Sequence, residues 1–509
     1  MSAERQGSRD PGIRAKISTG ALLHFGSSVG VRLLGIITVA VLGRLLTPAD
    51  FGIFAYAVFV STLTDSCFYR HFHFSLVRLP QVTEKHLDTL FTLRLLTGLI
   101  IAGGIALSAK PVAVWVDSPE LYAVLNWIAI AQIIGTFSSP RFMLLEKELR
   151  FAPAAFQVIL VRTLTTCSAI ALGFAWGNYW ALVTGLVLMP IITLLHSHWV
   201  APYRPRVSLV KWRAFLRFGL WVMSGNLFNF LSIRVDRLLL GPFAGIAAVG
   251  IYRMGVDIAE LGTQQFAQPM ERVIYPGLAT KGQDKSSLMN AYLETQSVVI
   301  GVVLPMGLLT ALSASEIIRI VAGPDWLAAA PVMWILAPLI ALTTLEGGVK
   351  ALIYINNAPE KIFFRNLLIF CVAMPLLIAG VTLGGFEGVI VASAAVKIFA
   401  LILTLRLADK ATNTSFFAPF LRAWRSFFAG ACMVLAIALV ISCGPSTTAD
   451  TSVSAAAVFL AFKASLGISI YLAMHFILWA MSGCPNGIES LAVALLRRAK
   501  SRVLRPAAR

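Results

Sequence analysis

Eight basic residues stand inside long apolar runs of this sequence: Arg32, Arg94, Arg162, Arg234, Arg237, Arg253, Lys397 and Lys463. A cation at the centre of a bilayer costs about 2.5–3.5 kcal/mol even on insertion scales. A cation kept at that cost either pairs with a carboxylate on another helix or faces a polar cavity, where it can hold an anion through charge-assisted hydrogen bonds. Arg32 lies near the middle of the first run, too deep to reach water easily at either end, and both uses are open to it. Arg162 and Lys397 are also deep. Arg94 lies a few residues inside its run and is expected to snorkel to the boundary.

A second group shares one helix face. Arg253, Asp257 and Glu260 are spaced by four and three residues, and Gln264 and Gln268 continue in steps of about four. Two readings compete: a local Arg253–Asp257 lock, or a stripe lining a solvated vestibule. Hydrocarbon cannot satisfy so many amides and carboxylates, so the stripe favours a hydrophilic conduit over a solid bundle. Arg234, Asp236 and Arg237 fall in the last turns of the preceding run, and Asp236 and Arg237 are read mainly as helix-end anchors. The same applies to Arg44 and Asp50, with Pro48 and Asp50 forming a turn and cap. The cavity candidates are therefore Arg32, Arg162, Arg234, Arg253, Asp257, Glu260, Gln264 and Lys397. Neither the histidines nor the six cysteines have metal-ligand spacing, so no metal is expected.

The elements that carry these residues must be membrane spans. Only 13% of the 509 residues are charged and 58% are hydrophobic, whereas a soluble domain carries roughly 25% charged residues. A span needs about twenty residues. Candidate spans are 20–42, 51–68, 90–109, 121–140, 152–173, 178–196, 215–240, 246–271, 290–312, 327–348, 362–383, 386–405, 426–443 and 455–480, which predicts an all-α integral membrane protein of about fourteen helices. With the N-terminus inside, 31 of the 42 basic residues fall in inside segments and three (Arg44, Lys110 and Arg319) in outside ones. The positive-inside rule then places both termini in the cytoplasm. The net charge of +18 is spread over these loops and forms no single patch, so no nucleic-acid partner is expected. The first nineteen residues are polar and basic and the first apolar run is long enough to span, which predicts no cleavable signal. Every connecting segment is short and no P-loop pattern occurs. No cofactor is expected, and the energy source is left to a proton or sodium gradient, the substrate gradient or a separate protein.

The chain also echoes itself. Phe25-Gly26, Arg44-Leu45-Leu46 and Phe51-Gly52-Ile53-Phe54 are followed by Phe218-Gly219, Arg237-Leu238-Leu239 and Val249-Gly250-Ile251-Tyr252. A duplication predicts a cytoplasmic tail (1–19), an N-terminal six-helix half (20–200), a C-terminal six-helix half (201–410), two added helices (411–480) and a basic tail (481–509). Parallel halves of this kind suit alternating access through a central cavity.

Arg44-Leu45-Leu46-Thr47-Pro48-Ala49-Asp50-Phe51-Gly52 resembles the signature of bacterial polysaccharide flippases. These are lipopolysaccharide and exopolysaccharide translocases of the multidrug/oligosaccharidyl-lipid/polysaccharide exporter superfamily. Asp236-Arg237-Leu238-Leu239-Leu240-Gly241 with Gly250-Ile251-Tyr252, and Glu146-Lys147-Glu148-Leu149-Arg150-Phe151, are similar to further parts of that family. The bulky Cys67–Phe74 stretch departs from it. The resemblance implies a MATE-like, oligosaccharide-flippase fold in the bacterial inner membrane. It also implies translocation of undecaprenyl-diphosphate-linked oligosaccharide for exopolysaccharide, capsule or O-antigen assembly, beside a polysaccharide polymerase and chain-length or export proteins. Alternatives are an ion-coupled small-molecule exporter or a peptidoglycan-precursor flippase of the same superfamily. A membrane-embedded polymerase or ligase would be expected to carry a sizeable external loop rich in acid/base residues, which this chain lacks.

Overall fold

The computed structural model describes residues 11–65, 76, 81–148, 150–279, 285–355, 358, 360–412, 415–443, 452–483 and 489, and these form helices and turns with no strand. Two compact units divide at Ile251/Tyr252. The stretch Cys67–Phe74 lies outside the described residues.

The first unit contains α1 (Pro11–Leu45), α2 (Pro48–Thr64), α3 (Glu84–Trp115), α4 (Glu120–Thr136), α5 (Ala152–Trp176), α6 (Trp180–Val200), α7 (Trp212–Ala244) and the first residues of α8 (Ile246–Ala279). The break between α1 and α2 is written in local chemistry. Thr47 caps α2, accepting from the Asp50 N–H at 3.3 Å while its own N–H donates to Asp50 Oδ2 at 2.9 Å. Pro48 takes the first helical position, where a missing N–H costs nothing. Asp50 Oδ1 also accepts the Tyr179 N–H at 2.9 Å, so one carboxylate fixes the start of α2 and the α5–α6 turn. In this unit α3 packs on α4, and α5 packs on both α6 and α1.

Gly52 and Gly250 make a close helix approach in this unit. A Cβ on Gly52 would lie 1.9 Å from the Ile246 carbonyl oxygen, and one on Gly250 would lie 2.0 Å from that of Pro48. The two glycines at matching places in the sequence echo therefore meet at one backbone-to-backbone crossing.

The second unit contains the rest of α8, α9 (Lys285–Leu312), α10 (Ala314–Val321), α11 (Ala330–Thr343), α12 (Glu346–Ile355), α13 (Glu360–Thr412), α14 (Trp424–Cys443) and α15 (Val453–Met481). Within α13, Gly385 adopts φ 54°, ψ −129°, a region reserved for glycine, and divides it into two arms. The arms touch backbone to backbone: a Cβ on Gly388 would sit 1.9 Å from the Gly380 carbonyl oxygen. The last two helices are tied in by polar contacts. Lys463 of α15 pairs with Glu316 of α10 at 2.9 Å, both buried, and the Tyr471 hydroxyl donates to Gly301 of α9 at 2.9 Å.

Beyond α15, the buried Glu489 carboxylate lies 2.9 Å from both Arg425 and His475. Burial alone would push this carboxyl up, but its contacts with His475, its own backbone and Arg425 outweigh that and hold it below the ordinary range. A depressed folded pKa stabilises fully above the unfolded value and stops doing so as pH falls through the folded one. Melting temperature is therefore expected to decline below about pH 4.5 in the wild type and to decline less in Glu489→Gln, measured as a pH series of thermal melts.

Over their described residues the expected spans coincide largely with helices, while the 327–348 span is broken near Thr344 between α11 and α12. Among the described residues, nine helices are long and apolar enough to cross a membrane, α13 counted as one, and α2 and α4 are shorter apolar helices. Large apolar side chains such as Ile100, Leu107, Val114, Leu383, Leu439 and Val458 are exposed. Water-facing helices do not carry so many large exposed apolar side chains, while lipid accommodates them. This is a multi-pass membrane protein.

Candidate functional site

In the first unit the deep cations gather along the α1–α5 contact. Arg162 of α5 reaches Gly35 of α1 so closely that a Cβ there would lie 3.1 Å from its Nη2. Arg32 sits three residues before Gly35 and so shares its face, and both arginines are half-buried. One turn further along, the Thr38 and Thr166 hydroxyls meet at 3.2 Å. The Arg162 Nε is buried without a hydrogen-bond partner, and Arg162 makes no ion pair among the described residues. Glycine at position 35 thus leaves room for a guanidinium whose charge is not neutralised by a bridging carboxylate.

A polar cavity of about 160 Å³ lies between α2, α3, α4 and α6. Its lining includes Ser61, Asp65, Arg94, Gln132, Ser138 and Thr193. Arg94, expected to snorkel, is instead 4% exposed. Its guanidinium donates to the Gly135 carbonyl at 3.0 Å and the Ser138 carbonyl at 3.1 Å, closing the C-terminal end of α4. A cation there satisfies carbonyls that the helix end leaves free. On α7, Arg234 is half-buried, whereas Asp236 and Arg237 are buried, with Asp236 Oδ1 accepting the Arg237 N–H at 2.9 Å. Arg44 is exposed at the end of α1.

In the second unit, Arg253 Nε and Asp257 Oδ2 lie 3.1 Å apart on consecutive turns of α8, as the spacing of four allows. Glu260 follows on the same face, half-buried. The Gln264 and Gln268 side chains lie outside the described residues, so the stripe is seen only in its first half. The Tyr252 hydroxyl donates to Ser393 Oγ at 2.9 Å, joining α8 to the second arm of α13, and Lys397 lies half-buried one turn beyond Ser393. The two units hold their candidates separately: Arg32, Arg162 and Arg234 in the first; Arg253, Asp257, Glu260 and Lys397 in the second.

Glu346, which closes an expected span beside Gly347-Gly348 and Lys350 and reads from the sequence as a hinge or a polar cap, has cross-element partners that the sequence does not reveal. Glu346 forms ion pairs with Arg365 and, at 3.4 Å, with Lys350. Arg365 is 6% exposed and also donates to Thr404 Oγ1 at 2.7 Å. The Glu346–Lys350 spacing of four was a usable signal; the Arg365 pairing crosses elements and left none.

Apolar helices with cationic and polar interior positions define a polytopic membrane protein. Residues 41–331 match the model of a family described as polysaccharide biosynthesis protein, and the chain belongs to that family. It is 22% identical over 422 residues to the lipopolysaccharide biosynthesis protein WzxC of Escherichia coli K12, covering 82% of this chain and 86% of that one. It is 24% identical over 361 residues to the teichuronic acid biosynthesis protein TuaB of Bacillus subtilis 168, covering 70% and 74%. Among solved structures, the lipid II flippase MurJ in an inward closed conformation superposes with a TM-score of 0.71 at 13% identity, over 90% of this chain and 99% of that one. At that identity the likeness concerns the fold.

Proposed function

We propose that the chain moves polyprenyl-diphosphate-linked oligosaccharide from the cytoplasmic to the outer leaflet of the bacterial inner membrane, for exopolysaccharide, capsule or O-antigen assembly. The observation that carries this reading is the pair Arg32 and Arg162 flanking Gly35, with the Arg162 Nε lacking a partner. A diphosphate would offset the Arg162 charge and offer an oxygen to its unpartnered Nε–H, with Arg32 on the neighbouring face of α1 adding positive potential. Arg234, Arg253, Glu260, Gln264 and Lys397 would complete a hydrated path for the sugar. The halves at 20–200 and 201–410 would alternate access to that path, with both termini cytoplasmic. A proton or sodium gradient would supply the energy, and a polysaccharide polymerase with its chain-length and export proteins would take the product.

The test is complementation of a deletion strain. Deletion is expected to trap lipid-linked repeat units in the inner leaflet and to remove external polymer. Arg32→Ala or Arg162→Ala is expected to restore insertion to the wild-type level but to lower external polymer about tenfold or more, the effect of one lost charge-assisted contact. Normal polymer after deletion, or accumulation of peptidoglycan precursor instead of an oligosaccharide repeat, would overturn the reading.

A further inference from the structure

The segment between α6 and α7 builds a second cationic pocket, at a membrane boundary and apart from the helix contacts above. Residues 201–211 run without regular structure, with Pro202 and Pro205 favouring an extended backbone. The segment is nevertheless fastened. The Tyr203 hydroxyl donates to Asp88 Oδ1 at 2.6 Å, and the Ser208 N–H donates to Thr92 Oγ1 at 2.8 Å, both on α3. Ser139 Oγ donates to the Ala201 carbonyl at 2.7 Å. Burial first, and then Asp88, push the Tyr203 phenol up, so it remains a protonated donor.

The pocket so framed has a volume of about 660 Å³ and is lined by Arg141, His198, Arg204 and Arg206 together with Glu84 and Asp88. Both carboxylates are already engaged, Glu84 by Arg141 at 2.6 Å and Asp88 by Tyr203. Arg204 and Arg206 are exposed and make no side-chain hydrogen bond or ion pair among the described residues. Trp199 and Trp212, both exposed, bracket the segment, and Val207, Leu209 and Val210 are exposed within it. Indole rings mark the headgroup level of a bilayer, and aliphatic side chains beside them enter its edge. Two unneutralised guanidiniums at that depth match one chemistry: the phosphate of a lipid headgroup.

We infer that this pocket binds the phosphate-bearing headgroup of a lipid in the leaflet it faces. The cytoplasmic leaflet follows from the orientation proposed above; the headgroup chemistry does not depend on it. The test is native mass spectrometry of the full-length purified protein titrated with phosphatidylglycerol, undecaprenyl diphosphate or zwitterionic phosphatidylcholine. Binding of an anionic lipid is expected to weaken on the order of thirtyfold in Arg204→Gln/Arg206→Gln, about 1 kcal/mol for each basic residue near an anionic headgroup. Lys110→Gln, at the other end of α3, is expected to leave binding unchanged.

Selective loss of phosphatidylglycerol makes the pocket a site for a resident phospholipid. Selective loss of undecaprenyl diphosphate makes it the place where the transported lipid is first held. Either result supports a headgroup site, and binding is read without flipping, so a failed transport assay leaves it standing. Equal binding in the double variant and the wild type, or phosphatidylcholine binding as tight as the anionic lipids, overturns the inference.

Discussion

Gly52→Val is expected to prevent the first unit from folding. Its Cβ would lie 1.9 Å from the Ile246 carbonyl oxygen, and the Gly250 position is as tight against Pro48. Overpacked side chains usually relax by changing rotamer, at about 1–3 kcal/mol. Here the clash is with backbone on both helices, so relief requires α2 and α8 to separate at their N-terminal ends. The Thr47–Asp50 cap lies at the same place, and Asp50 also holds Tyr179. Separation would therefore disturb the α5–α6 turn as well, and the loss should reach at least about 3 kcal/mol. Monodisperse yield in detergent and the apparent Tm report it. Gly103→Ala is the control: a Cβ there meets nothing within 4 Å, and an alanine inside a helix should gain about 0.5–1 kcal/mol. A Gly52→Val protein that melts with the wild type would show that the two helices do not cross at this point.

Lys463→Met is the second large effect. The ammonium and the Glu316 carboxylate are 3% and 2% exposed and lie 2.9 Å apart. Lys463 Nζ also donates to the Leu312 carbonyl at 3.2 Å. Removing one partner leaves the other charge buried and uncompensated, a loss of about 3–5 kcal/mol. Replacing both, as Lys463→Met/Glu316→Met, removes the charge together with its partner and should return much of that stability. Thermal melts of the two single variants and the double variant close the cycle, and the expected signature is a double variant more stable than either single one. Additive losses would mean that the two side chains do not act on each other.

The parts of this molecule that were legible in the sequence are the local ones. Pro48 and Asp50 mark a turn and cap between the first two helices, and the cap is there, with Thr47 as the capping residue and Asp50 answering it from the first turn. Arg253 and Asp257 stand one turn apart, and they form the ion pair that spacing allows. Arg94 was misjudged because its partners, Gly135 and Ser138, lie more than forty residues away on another helix. Glu316–Lys463 and Glu346–Arg365 were invisible for the same reason: tertiary packing creates those pairs, and no spacing encodes them. The Arg162–Gly35 contact was half legible. The depth of Arg162 marked it, but only the structure shows that a residue without a side chain makes its space. The segment at 201–211 was read only as positive charge on one side of the membrane, since its pocket depends on α3 holding Tyr203 and Ser208.

The reversal at Gly385 also bears on how the protein is made. Its two arms are joined by a turn whose one charged residue is the exposed Glu387, and they touch within a few residues of that turn at Gly380 and Gly388. The first arm has no hydrophilic segment behind it to be drawn across the bilayer ahead of the second. During synthesis the two arms are therefore expected to leave the insertion machinery together, as one helical hairpin carrying only the Glu387 carboxylate across at its tip.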